Sequence, residues 1–201
     1  MNHIYLSHYA NCPTKEKYNT EHHLGLKLLS QGLKALYQID ISEDSIEDYI
    51  EKNDYGKPYL TSYPDIHFNI SHCDGIVACG FSDTILGVDI EMIDEFRPAI
   101  LKKVFTESER RELENYKDYP ELYQTFFCRF WTLKESRIKQ AGLGFSMSVT
   151  DFSFHFDGDP KQPVPVCSEP DLYFYQEIIE NKYVLAVCSD NNLDDVLISY
   201  L

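Results

Sequence analysis

The stretch GVDIEMI, Gly87 to Ile93, sets two carboxylates two residues apart in an otherwise apolar run. In a strand, Asp89 and Glu91 share one face while Val88 and Ile90 enter the other. At about 5 Å and an effective dielectric near 20, such a pair repels by roughly 3 kcal/mol, a cost that a bound cation would reverse. A solvated strand edge accommodates the same triplet, because a chain with 33 acidic residues produces such pairs often. Further along, FWTLKESRIKQ (Phe130 to Gln140) holds the only tryptophan. Its helical spacing puts Trp131, Lys134, Glu135, Ile138 and Lys139 on one stripe, with Glu135 and Lys139 neighbours at i and i+4. A third carboxylate and two lysines beside an anchoring ring suit a metal-bound phosphate, since magnesium takes carboxylates together with phosphate oxygens and water. A surface ion pair over a core aromatic is the bland alternative.

These residues sit in a chain of 201 residues, enough for one sizeable core or for two small halves that share one. Hydrophobic residues at 43% and aromatics at 14% place it with globular rather than disordered chains. The start, MNHIYLSHYANCPTKEKY, lacks the charged and then apolar pattern of a secretory signal, and no stretch approaches the roughly 18 apolar residues of a membrane span. A cytoplasmic protein without membrane contact is expected. The six cysteines are scattered with no C-x-x-C pair, so they read as small buried hydrophobes without disulfides. A formal charge of -15 argues against nucleic-acid binding. Ten of the 18 basic residues nevertheless fall between Arg97 and Lys139. Such a belt can draw an anionic ligand or an acidic partner, although an ordinary pair of solvated helices would carry the same charges.

The pattern predicts an amphipathic helix over Glu21 to Tyr37, with Leu26, Leu29, Leu33 and Leu36 at helical spacing. Gly56 and Pro58 punctuate a turn, and IHFNIS and IVACGFS read as strands bracketing Asp74-Gly75. ILGVDIEMI is a further strand, helices follow over Pro98 to Lys117 and Leu122 to Gln140, and Gly142 and Gly144 stop the second. Strands return in VTDFSFHF, LYFYQEII and YVLAVCSD. The last echoes IVACGFSD at Ile76 to Asp83, as two halves of similar design would.

GVDIE followed by FWTLKESRIK resembles the paired signature of the 4'-phosphopantetheinyl transferases, (I/V)-G-(I/V)-D and (F/W)-x-x-K-E-(A/S)-x-x-K. Upstream, YGKPYL and FNISHC are similar to two further elements of the surfactin-synthetase-activating class, in the order that class has them. The resemblance is firm from Tyr55 to about Met147 and looser beyond. Length discriminates within the family: short holo-acyl-carrier-protein synthases assemble as trimers, whereas the surfactin type resembles two such halves fused in one monomer. The resemblance therefore implies an α+β fold with a pseudo-two-fold duplication, each half a small antiparallel sheet with helices, over 1–93 and 94–201. It implies that Asp89, Glu91 and Glu135 bind magnesium with the pyrophosphate of coenzyme A, that Lys139 and Lys134 contact phosphate oxygens, and that Ser71, His72 and Lys57 hold the nucleotide phosphates.

Glu109 aligns with a glutamate proposed in the family as the base that takes the serine proton. TESE, Thr106 to Glu109, is equally a capping box, and both readings put a glutamate there. The family's cluster of N-terminal arginines and lysines is thin here: only Lys15, Lys17, His22, His23 and Lys27 are available. The implied reaction is attack of a carrier-protein serine on the β-phosphorus of coenzyme A, releasing adenosine 3',5'-bisphosphate. An acyl or peptidyl carrier protein would meet the basic belt around Lys102, Lys103, Arg110 and Arg111. A magnesium-dependent phosphodiesterase would use the same carboxylates with water as nucleophile, and a non-catalytic binder of coenzyme A or carrier protein is the third reading. A Cys73-His72-Asp74 site is disfavoured, because adjacent strand residues point to opposite faces.

Overall fold

The computed structural model describes residues 1–10, 13–94, 100–159 and 163–201, with Phe145 described by its backbone alone. Cys12, Arg97 and the helix start expected at Pro98 lie outside the described residues. The chain opens with β1 (Asn2–His8) and α1 (Thr14–Tyr37), then a small ribbon of β2 (Ile50–Lys52) and β3 (Pro58–Leu60), then the hairpin of β4 (His67–Cys73) and β5 (Ile76–Ser82). The second half repeats this order. β6 (Leu86–Met92) leads through α2 (Leu101–Val104) and α3 (Glu107–Glu114) to α4 (Pro120–Ala141). A ribbon of β7 (Phe154–Asp157) and β8 (Val164–Cys167) follows, then the hairpin of β9 (Tyr173–Ile179) and β10 (Tyr183–Ser189). The first sheet runs β11-β1-β5-β4 and the second β6-β10-β9, where β11 (Val196–Tyr200) returns to lie parallel to β1.

The repeat is topological: β1 pairs antiparallel with β5, and β6 pairs antiparallel with β10. The echoing segments fall on the equivalent central strands, β5 and β10, and every residue of both is buried. This α+β duplication is the one expected. Its boundary is not at Ile93, however. β6 is hydrogen-bonded along its length to β10, so the second half begins with β6.

Side-chain alternation sorts these sheets into four layers. On β10, Leu185 and Val187 join Ile4, Leu6 and Val88 between the two sheets, while Ala186 faces α4 with Phe130 and Leu133. α1 covers the far face of the first sheet, with Leu28, Leu29 and Leu33 against Phe68 and Phe81. It begins at Thr14, earlier than the apolar spacing indicated. The helix expected up to Lys117 is broken into α2 and α3, because Thr106 adopts extended backbone and caps α3. α4 begins with Pro120 in its first turn and ends at Gly142, whose φ of 65° supplies the left-handed C-cap. Among the described residues no helix is long and apolar enough to cross a membrane.

Among the described residues β6 is an edge strand with only β10 as a ladder partner. On its other side, the backbone N–H groups of Val88 and Ile90 donate to Asn69 Oδ1 (2.8 Å) and Ser71 Oγ (3.2 Å) of β4. The two halves are thus joined along this edge by side chains of one strand that cap the backbone of the other.

Candidate active site

Three positions on one face of β6, Gly87, Asp89 and Glu91, look at α4. A Cβ on Gly87 would lie 2.0 Å from Ser136 O and 2.2 Å from Gln140 N, so only glycine lets the helix backbone rest on the strand here. That close approach brings the α4 side chains into register. Trp131 Nε1 donates to Glu91 Oε1 (3.1 Å), and Lys139 Nζ donates to Asp89 Oδ1 (2.7 Å). Glu135 lies between those two helix positions, one turn from each.

Asp89 is 3% exposed. Its Oδ1 also accepts from Ser71 Oγ (3.0 Å), while Oδ2 is buried without a hydrogen-bond partner among the described residues. An orphaned carboxylate oxygen is costly, and it marks a place where a cation or a donor belongs. Burial, and next the charge of Asp89, push the Glu91 carboxyl up to about 7. The same two causes, in the same order, raise Glu135. The charge of Asp89 thus acts on both of the other carboxylates. Among the described residues no three His, Cys, Asp or Glu side chains converge into a ready cage. Magnesium does not demand one, because it usually binds through one or two carboxylates and completes its shell with substrate phosphates and water. The all-oxygen donor set and the orphaned Oδ2 fit such an ion.

Two concavities flank this cluster. One, of about 370 Å³, is walled by Glu91, Trp131, Met92, Phe127, His72 and Lys17. The other, of about 240 Å³, includes Lys139, Ile138, Ile70 and Lys57. The divergence of Ser71 and His72 into different surroundings follows from the β4 pleat: Ser71 turns to Asp89, and His72 turns towards α1.

Three expected roles do not match the placement, and a fourth residue, Lys57, has a structural task besides. Lys134 is five residues from Lys139, about 140° round the helix, and faces the interior. Its ammonium is fully buried and donates to Val149 O (2.6 Å), Phe152 O (2.9 Å) and the Glu109 carboxylate (3.0 Å), so no donor is left for a phosphate. Glu109 is equally buried. Its oxygens accept from Thr106 N (2.7 Å) and Phe154 N (2.9 Å), the Thr106 side chain completes a capping box, and neither concavity reaches it. The capping reading holds, and the placement offers no path to a serine proton. Lys57 Nζ bridges Leu86 O (3.0 Å) and Gln140 O (2.9 Å), tying the start of β6 to the end of α4, and burial lowers its pKa to about 8. Ser71 is 4% exposed, and its single hydroxyl hydrogen goes to Asp89, which makes it a strut of that carboxylate rather than a phosphate donor.

Sequence reasoning passed over Gly87 and Asn69 as parts of the site. The first was legible as a small residue inside an apolar strand, a sign of close backbone approach. The second was not, because its capping target is the backbone of another element.

Comparison with known proteins converges on the family expected from the four motifs. Residues 85–188 match the model of the 4'-phosphopantetheinyl transferase superfamily. The chain is 34% identical over 183 residues to 4'-phosphopantetheinyl transferase Sfp of Bacillus subtilis (strain 168), covering 88% of this chain and 78% of that one. It is 35% identical over 138 residues to another 4'-phosphopantetheinyl transferase of Bacillus subtilis, covering 68% of this chain and 60% of that one. A solved structure, the holo-[acyl-carrier-protein] synthase of Thermotoga maritima, is similar at 20% identity and a TM-score of 0.39, over 52% of this chain and 61% of that one.

Proposed function

The chain belongs to the 4'-phosphopantetheinyl transferase superfamily, and we propose that it transfers the 4'-phosphopantetheine of coenzyme A to a serine of an apo acyl or peptidyl carrier protein. The observation that carries this reading is the applied face of α4: Trp131, Glu135 and Lys139 laid against Asp89 and Glu91, beside a buried carboxylate oxygen with no partner among the described residues.

In the reaction the serine oxygen forms a bond to the β-phosphorus, and the phosphoanhydride bond to the α-phosphate breaks. Adenosine 3',5'-bisphosphate leaves with the electron pair, and the serine proton passes to solvent or a base. Asp89, Glu91 and Glu135 would hold magnesium, which when bound offsets the negative charge spread over the transferring group. Lys139 holds Asp89 and Ser71 with two of its donors, and its third is available to a phosphate oxygen. His72, on the wall of the larger concavity, offers an anionic group of the substrate a donor when its ring is protonated. Trp131 fixes Glu91, so the carboxylate does not have to be ordered at the moment of reaction. Alignment and charge neutralisation supply most of such a rate, and nothing here requires Glu109. With both halves in one chain, the enzyme acts as a monomer, in the cytoplasm where coenzyme A and carrier proteins meet.

Intact-mass spectrometry tests the reading. An apo carrier protein incubated with this chain, coenzyme A and magnesium should gain the mass of one phosphopantetheine, and EDTA or Asp89→Ala should remove nearly all of the gain. Coenzyme A cleavage without transfer would replace the reading with a hydrolase. Binding of coenzyme A without turnover on fatty-acid, polyketide and peptide carriers would replace it with a binding role.

A further inference from the structure

α1 carries a carboxylate that neither the motifs nor the catalytic face uses. Glu21 is only 4% exposed, in the middle of a helix whose other buried positions are leucines and glycines. One of its oxygens accepts the hydroxyl of Tyr9, and the other lies 3.1 Å from His72 Nδ1. Lys17 Nζ stands 3.8 Å away, one turn earlier on α1. Tyr9 is itself fixed, its N–H donating to Gly75 O (3.1 Å) at the β4–β5 turn. Packing alone does not call for an ion here, because a leucine would fill a helix position against β4 at less desolvation cost. What the carboxylate adds is a directed partner for one ring nitrogen of His72.

We propose that Glu21 is a positioning residue: held by Tyr9, it takes the Nδ1–H of His72 and so turns Nε2 into the larger concavity as the contact for an anionic group of coenzyme A. The proposal rests on the functional reading above. A histidine whose Nδ1–H is engaged by a carboxylate presents only Nε2, as a lone pair when neutral and as a charge-assisted donor when protonated. The groups around the ring are divided. Burial lowers the imidazole pKa, Glu21 opposes this most strongly, Lys139 of α4 and Lys17 of α1 lower it further, and Asp89 of β6 raises it. Without Glu21 the ring would stand between two lysines with no carboxylate to orient it or to oppose the lowering of its pKa.

The test is a double-mutant cycle on coenzyme A binding by titration calorimetry at about pH 6, because only the imidazolium form donates from Nε2 to an anion, using the full chain and the variants Glu21→Gln, His72→Gln and both together, with thermal unfolding followed for each. Loss of one charge-assisted contact weakens affinity roughly tenfold, and both single variants should show it. The double variant should bind no more weakly than His72→Gln alone. Losses that multiply, or unchanged affinity in either single variant, would overturn the proposal. Should Glu21→Gln fail to fold, long-range ¹H–¹⁵N spectra of the unaltered protein above the His72 titration decide: the Nδ1–H tautomer is expected, and the Nε2–H tautomer overturns it. Phosphopantetheine transfer by mass gain is measured alongside, so a wild-type chain that neither binds coenzyme A nor transfers fails the functional reading, whereas transfer with multiplicative losses fails only the role of Glu21.

Discussion

Replacing Glu109 by glutamine takes one charge from a pair whose two side chains are both fully buried. Lys134 would keep two carbonyl partners and the ring of Phe152, 4.6 Å from its Nζ, but no counter-charge. Stranding one member of a buried pair typically costs about 3–5 kcal/mol. Glutamine preserves one acceptor oxygen for Thr106 N or Phe154 N, so the lower end, about 3 kcal/mol, is expected. At 2–4 °C per kcal/mol for a chain of this size, the melting temperature should fall by roughly 6–12 °C. Lys134→Met strands Glu109 instead, although the three donors from Thr106 and Phe154 still satisfy it. The double variant should therefore lose less than the sum of the singles. Urea unfolding at pH 7 measures the stabilities, and transfer is assayed well below the lowered melting point, where turnover per folded molecule should stay within a few-fold of the unaltered enzyme. A general base has the opposite signature: unchanged stability with turnover down by about 10²- to 10⁴-fold. That result for Glu109→Gln would refute the structural assignment and return the residue to catalysis.

Gly87→Ala drives a methyl group into the backbone at Ser136 O and Gln140 N, atoms that cannot rotate away, so α4 must lift from β6. A loss of stability of about 1–3 kcal/mol should accompany near-complete loss of transfer, and a variant with normal turnover would show that the helix contact is not required. Lys57 gives a pH signature. Its folded pKa of about 8 lies below the ordinary lysine value of 10.5, so the unfolded chain binds the extra proton between those values and stability gains with rising pH there. Between pH 7.5 and 9.5 the unaltered protein should gain ~1–2 kcal/mol relative to Lys57→Met in urea unfolding, and parallel pH profiles would refute the burial of that ammonium.

The strand and helix of the proposed site were legible because their signals are local. Two carboxylates at strand spacing, and Trp131, Glu135 and Lys139 at i, i+4 and i+8, need only the pleat and the helical turn to share a face. Lys134 was misassigned by the same reasoning, since adjacency in sequence to Glu135 hides the 100° that separates neighbours on a helix. Glu109 was undecidable at that level: a base and a helix cap require the same residue at the same position, and only the arrival of Lys134 and Phe154 N from distant segments separates them. β1 escaped because Ile4, Tyr5 and Leu6 are all buried, so a strand covered on both faces shows no alternation. Glu21, in TEHH, looks like the solvated start of a helix until α1 is docked on β4.

The duplication explains where the proposed site lies. Each half on its own ends in an edge strand with unpaired backbone donors, a feature that ordinarily invites further strand pairing. Here β6 meets β4 through Asn69 and Ser71, whose side chains take the place of a ladder and hold the two strands apart by the length of a side chain. That spacing leaves room for Asp89 Oδ2 to be buried and yet unpartnered among the described residues, and it lets Lys139 enter from α4 to touch Ser71 and Asp89 together. A continuous sheet would have closed the seam with backbone hydrogen bonds and left no place for a cation or a phosphate. The motif FNISH therefore acts chiefly as a joint: Asn69 and Ser71 face one way to build the seam, and His72 faces the other to reach Glu21 and the wall of the cleft.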